Sequence, residues 1–163
     1  MTHSGEAARP ATGEDLSLLA NVAATHAAGL ADQRGGPLFL LNEVADQQDF
    51  STWFHSLLAD PEALVLTGTY DGVPFGYCAA KLVRLADGTR LARISALLVD
   101  AAARESGIGE ALMVQAVAWA RSHGCVSIDA SALPGDRSTK NFFESFGLKA
   151  RLLTVNLDLS STA

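Results

Sequence analysis

Arg104, Gly107 and Gly109 stand in the stretch ARESGIGEAL (residues 103–112), between an apolar run, RISALLVD, and an apolar helical pattern. Two glycines where a strand gives way to a helix suit the binding of an anion. The amides of a helix's first turn have no partner within the helix, and the helix dipole adds positive potential there. Glycine removes the Cβ that would block a ligand and accepts turn conformations that other residues resist. The spacing fits a diphosphate lying across the first turn, with Arg104 adding a charged contact. The lysine-bearing loop GxxxxGK[ST] is absent, and so is the full GxGxxG fingerprint.

Other residues able to move protons are sparse. RISALL offers no carboxylate, which leaves Asp129, in SIDAS, as the acidic candidate by element position, and Ser95 is the one neutral polar side chain of RISALL. A strand Asp either serves as a base or binds backbone or a neighbouring Arg, and the sequence leaves both readings open. His26 and His55 fall on early helices, where base, substrate contact and plain surface position all remain open. His123 precedes Gly124 at a helix end, where the dipole accounts for it. Cys78 and Cys125 lie in apolar segments and read as free thiols of a reducing, cytoplasmic compartment. No Cys/His cluster suggests a metal.

The elements that position these residues follow from period. After a tail expected over residues 1–8 and a brief strand near Arg9, TGED reads as a capping box from Thr12 to Asp15, opening the helix LSLLANVAATHAAG. A second helix is expected over TWFHSLLAD, capped by Ser51 and closed by Pro61. ALVLTGTY, VPFGYCAAKLVR and RLARISALLVD are strand-like runs joined at Asp71-Gly72 and at ADGT, an antiparallel meander. Apolar spacing predicts a helix over 107–123, then a strand in CVSIDASAL, a helix in RSTKNFFESFG and a last strand in ARLLTVNLDL. Strand, helix, strand after a meander gives a parallel crossover beside an antiparallel sheet.

The chain has 163 residues, 48% of them hydrophobic and 18% charged, which places it among globular chains the size of one domain. A net charge of −6 without a Lys/Arg run argues against nucleic acid or an anionic membrane as partner. No apolar run reaches the ~18 residues of a membrane span, and the N-terminus lacks the pattern of a signal peptide.

The segment LLVDAAARESGIGEAL resembles the acyl-CoA-binding motif of the GNAT (Gcn5-related) N-acetyltransferases, [QR]-x-x-G-x-[GA], with Arg104, Gly107 and Gly109 filling it. YDGVPFGYCAAKL looks like that family's central hairpin, and DRSTKNFFESFGL like its late helix. The resemblance implies an α/β three-layer fold, a mixed sheet of antiparallel meander and parallel crossover flanked by helices, over one domain spanning 1–163. It implies an acetyltransferase that takes acetyl-CoA as donor and a primary amine as acceptor in a direct ternary complex, without a metal. The backbone of Leu97, Leu98 and Val99 would pair with the pantetheine arm, and the loop Arg104, Glu105, Ser106, Gly107, Ile108, Gly109 and Glu110 would hold the pyrophosphate. Residues 13–59 would form most of the acceptor pocket, and a homodimer is expected from family habit.

The sequence departs from the family pattern in three respects. Glu105 and Ser106 replace a common Gly and basic residue, with Arg137 or Lys140 as the nearest compensating charges. Asp136 stands for an Asn that contacts the cofactor arm, and an ionised Asp donates no hydrogen bond. Phe143 stands for a Tyr that protonates the departing thiolate in many members. Ser138, Thr139 or water would replace that acid, or the thiolate would leave unaided, because its pKa of about 8.5 already makes it a good leaving group. Asp129 is the expected base. Two other readings stay open: a regulatory domain that binds acyl-CoA without turnover, and a transferase of longer acyl groups.

Overall fold

A computed structural model of the chain describes residues 5–44 and 49–160. Five strands form one mixed sheet in the order β1-β2-β3-β4-β5. They are β1 (Glu6–Pro10), β2 (Ala63–Tyr70), β3 (Val73–Arg84), β4 (Arg90–Val99) and β5 (Cys125–Asp129). The first four neighbours pair antiparallel, whereas β4 and β5 are parallel. The expected meander is present with its boundaries, because alternation and turn residues agree: Asp71 (φ 48°) and Gly72 (φ 81°) are both left-handed, as a two-residue hairpin turn requires.

Helices cover both faces. On one side α1 (Leu16–Leu30) and α3 (Phe50–Ala59) press Leu19, Ala23 and Phe54 against Val65, Tyr77 and Ala79. Phe54 and Tyr77 meet edge to face at 4.9 Å, an arrangement worth about 1 kcal/mol beyond the apolar area it buries. On the other side α4 (Ile108–Ser122) and α5 (Arg137–Ser145) enclose a second cluster with Ile108, Leu112, Met113 and Phe143. A short α2 (Gly36–Phe39) continues into a π-helical turn, Leu40–Val44. None of the helices is long and apolar enough to cross a membrane among the described residues.

Four local expectations need correction. Strand β1 begins at Glu6, inside the stretch 1–8 expected as a tail, because Glu6 and Ala7 pair with Tyr70 and Thr69; residues 1–4 lie outside the described chain. Asp49 rather than Ser51 caps α3, its carboxylate accepting from the Thr52 amide at 3.2 Å; a carboxylate three residues ahead also matches the dipole's sign. The strand in CVSIDASAL stops at Asp129. The last strand does not form. Residues 149–159 carry no helix or strand, and Leu152, Leu153, Val155, Leu157 and Leu159 are between 76% and 92% exposed. Alternating polarity gives such a segment two faces, but a strand also needs an edge to pair with.

The capping box opens α1 through one 3-10 turn, Gly13–Asp15, and its carboxylate does more than cap. Asp15 accepts from the Thr12 amide at 2.8 Å and from both terminal nitrogens of Arg9, at 2.7 and 2.9 Å, tying β1 to α1. The Arg9 hydrogen bond is the main cause that holds the Asp15 carboxyl well below the usual carboxylate range. Asp15→Ala is expected to lower unfolding free energy by about 1–2 kcal/mol at neutral pH. A depressed folded-state pKa stabilises fully above the unfolded value and is lost as pH falls, so the difference between wild type and variant should shrink below about pH 4. Urea melts of both proteins at neutral pH and near pH 3 check this; a constant difference would contradict it.

Candidate active site

The site begins where two strands part. β4 and β5 pair from Arg90 opposite Cys125 to Arg93 opposite Asp129; β5 then ends, while β4 runs on to Val99. Past Arg93 the edge of β4 that faces away from β3 has no strand beside it among the described residues, so its backbone groups are open to another partner. A register shift falls at the same place: Ala80 pairs with Ile94 and Ala79 with Ala96, leaving Ser95 as the extra residue of a bulge. Bulges bend a strand and re-aim its side chains, and this one turns β4 where the separation starts. Between the parted ends lies a cleft lined by Ile94 to Leu98 on β4, by Ala130 and Ser131 after β5, and by Asp136, Thr139 and Phe143 of the α5 region. Its other wall consists of Tyr77, of His26 and Leu30 on α1, and of Phe39, Val44 and Phe50.

At the end of β4 the chain turns into α4. Asp100 accepts from the Ala102 amide at 2.8 Å and starts a 3-10 turn, Ala101–Ala103; Ser106 Oγ closes the loop by donating to the Ala103 carbonyl. Gly107, at φ 88°, is the residue ahead of the helix, and the first helical bond runs from the Ala111 amide to the Gly107 carbonyl at 3.0 Å. The amides of Ile108, Gly109 and Glu110 precede that bond and point out of the helix start. Ile108 fixes the turn in place, since it is fully buried and packs on β2 at Gly68.

The glycines owe their identity to the protein as well as to any ligand. Gly107 needs its left-handed φ, and a Cβ there would lie 2.9 Å from Cγ of Glu6. At Gly109 a Cβ would lie 3.1 Å from the Phe142 ring. The bare backbone expected to make room for phosphates therefore faces β1 and α5, and the amides it presents result from that packing. Glu6 beside the loop adds acidity to a turn that already carries Glu105 and Glu110 against Arg104.

The other residues singled out in the sequence fall in different places. Leu97 and Leu98 line the cleft, as do Asp136 and Phe143. Asp136 also caps α5, accepting from the Thr139 amide at 3.0 Å and hydroxyl at 2.6 Å. Asp129 is not among the lining residues. Its carboxylate accepts hydrogen bonds from Arg151, chiefly because of which its pKa is lowered, with Arg93 adding to the effect. A carboxylate so held is a weak base. His55 and His123 bond through Nδ1 to the carbonyls of Ser51 and Trp119 within their own helices, and burial pushes the Cys78 thiol up to about 12. His26 was one open choice among several in the sequence, and Tyr77 was not singled out at all. Only the pairing of β3 with β4, Tyr77 opposite Leu98, reveals that Tyr77 reaches the cleft.

The sequence matches a family model described as the Acetyltransferase (GNAT) family over residues 32–148. Comparison with curated proteins gives no match. Among solved structures, a transcriptional regulator from Bacillus halodurans C-125 is 21% identical with a TM-score of 0.71, covering 94% of this chain and 99% of that one. A GCN5-related N-acetyltransferase from Ralstonia eutropha JMP134 is 21% identical with a TM-score of 0.70 over the same shares. An aminoglycoside 6′-N-acetyltransferase from Acinetobacter haemolyticus is 19% identical with a TM-score of 0.67, covering 95% and 99%. At these identities the structural likeness speaks for the fold.

Packing at the loop generates a prediction about stability alone. Gly107→Ala forces an L side chain into the left-handed region and is expected to cost about 1–2 kcal/mol. Gly109→Ala should cost less, and combining it with Phe142→Leu should recover part of the loss, since the clash is with the ring. Denaturant melts of the single and double variants check this; strict additivity at 109 and 142 would count against the contact.

Proposed function

The chain belongs to the GNAT acetyltransferase family, and from that premise we propose that it transfers an acetyl group from acetyl-CoA to a primary amine within a ternary complex. The observation that carries this reading is the unpaired edge of β4 beyond Arg93, which leads directly to the unpartnered amides at the start of α4. An extended amide-bearing arm ending in a diphosphate matches both features in order: Leu97, Leu98 and Val99 offer a strand edge to the pantetheine, and the loop from Arg104 through Glu105, Ser106, Gly107, Ile108 and Gly109 to Glu110 offers amides and one guanidinium to the pyrophosphate. Asp136 and Phe143 border the arm from α5. The reading takes residues 1–163 as one such domain in a reducing compartment, consistent with two free cysteines.

The donor supplies an activated thioester; the chain supplies position and proton traffic. β4 and its bulge hold the carbonyl carbon at the mouth of the cleft, and the wall formed by α1 and the segment after it receives the amine. Phe143 excludes water on the thiol side without providing a proton, which suits a leaving group that departs as thiolate. A second reading, acyl-CoA binding without turnover, is favoured by Phe143 and by the engagement of Asp129 with Arg151.

Calorimetry with acetyl-CoA should show a single binding event, and release of CoA thiol should follow addition of an amine. Arg104→Ala should weaken that binding about 10- to 100-fold, the loss of a charge-assisted contact, with an unchanged melt. Asp129→Asn should leave the transfer rate within about threefold, because its carboxylate is held by Arg151. Binding without thiol release across a broad amine panel would favour the second reading; no binding would overturn both.

A further inference from the structure

Resting on that acetyl-transfer reading, we propose that the acceptor is a monoamine carried on an apolar aliphatic or aromatic frame, and that His26 removes the proton from its nitrogen. The cleft contains both halves of such a site. Leu30, Phe39, Val44 and Phe50 give the described lining an apolar part that matches a carbon frame, and none of these four side chains is a partner for a further cationic group. In the same cleft Asp136 is the one carboxylate among the described lining residues. Its two bonds from Thr139 leave lone pairs free, so it attracts a single ammonium. The exchange of Asn for Asp, a poor one for a pantetheine amide, is a good one for a cation.

His26 lies on α1 in the same wall, and the charged groups that face it are Asp136 at the cap of α5 and Arg104 in the loop before α4. Burial lowers its pKa, Asp136 acts in the opposite sense and Arg104 reinforces the lowering. The imidazole is thus neutral near pH 7 and can accept a proton. In the step, the bound ammonium first gives one proton to His26, which passes it to solvent; the neutral nitrogen then forms a bond to the thioester carbon and gives its second proton to the same imidazole. The carbon–sulfur bond breaks, its electron pair leaves on sulfur, and the imidazolium returns the proton to solvent or to the thiolate.

The test uses the full chain with acetyl-CoA and three acceptors: 2-phenylethylamine, spermidine and kanamycin. We expect kcat/KM for 2-phenylethylamine to exceed both polyamines by about tenfold or more, a difference of one well-matched apolar pocket. His26→Gln should lower kcat/KM by about 100-fold at neutral pH. It should also erase the acid limb of the pH profile, which in wild type lies below the ordinary imidazole value of 6.5, while the acetyl-CoA Kd and the melt stay unchanged. Asp136→Asn, which preserves the cap, should raise KM for the amine more than it lowers kcat. Faster transfer to spermidine or kanamycin, or a wild-type pH profile in His26→Gln, overturns this proposal and leaves acetyl transfer standing. Failure to bind acetyl-CoA overturns the underlying reading and the acceptor assignment with it.

Discussion

The separation of β4 from β5 is the constraint on which the rest of the molecule depends. A parallel pair normally continues until both strands end, since each further residue satisfies backbone donors and acceptors. Here β5 stops at Asp129 while β4 continues through six more residues to Val99. Two features keep the gap from closing. The bulge at Ser95 bends β4, and the chain after Asp129 is drawn away to the cap of α5 at Asp136. The result is a sheet in which the edge of β4 beyond Arg93 borders a cleft instead of β5.

The loop after β4 is rigid for reasons internal to the fold. Ile108 and Leu112 seat the first turn of α4 against β2, Phe142 closes on Gly109, and Glu6 of β1 packs at Gly107. Three elements distant in sequence therefore determine where three amides point. Preorganisation of this kind lets a helix start bind an anion without ordering itself first. The same turn carries Glu105 and Glu110 beside Glu6, so the positive potential it presents comes from the fixed amides and from Arg104.

Much of this is legible in the sequence, and the part that is not has a common cause. Hairpins at Asp71-Gly72 and ADGT, the stop at Gly124 and the helix from Ile108 follow from local periodicity and turn residues, so they appear where expected. The glycine turn is equally visible, although its reason is only half so, because the contacts of Gly107 and Gly109 with Glu6 and Phe142 join residues far apart in the chain. The same distance hides the make-up of the cleft. Nothing local in SIDAS announces that Asp129 will meet Arg151, and nothing in VPFGYCAA announces that Tyr77 will face the cleft. ARLLTVNLDL fails in the opposite way, since its alternation is local and correct but the pairing it implies is not.

In the acetyl transfer we propose, with Asp129 engaged by Arg151 and Phe143 in place of a phenol, the chemistry would be carried by environment more than by strong acids and bases. An aliphatic ammonium gives up its proton reluctantly to a neutral imidazole in water. Two effects ease proton removal in this cleft. Apolar walls disfavour the charged form of the amine, as burial does for His26 itself. Once that proton has left and the neutral nitrogen attacks, the forming carbon–nitrogen bond makes its next proton far more acidic, so the second proton moves in step with attack. A polar, carboxylate-rich pocket would bind a cationic acceptor more tightly in the ground state and thereby oppose deprotonation. In the proposed reaction the apolar lining would thus be part of the proton-transfer chemistry, and Asp136, the one carboxylate among the described lining residues, would attract the amine without holding it charged throughout.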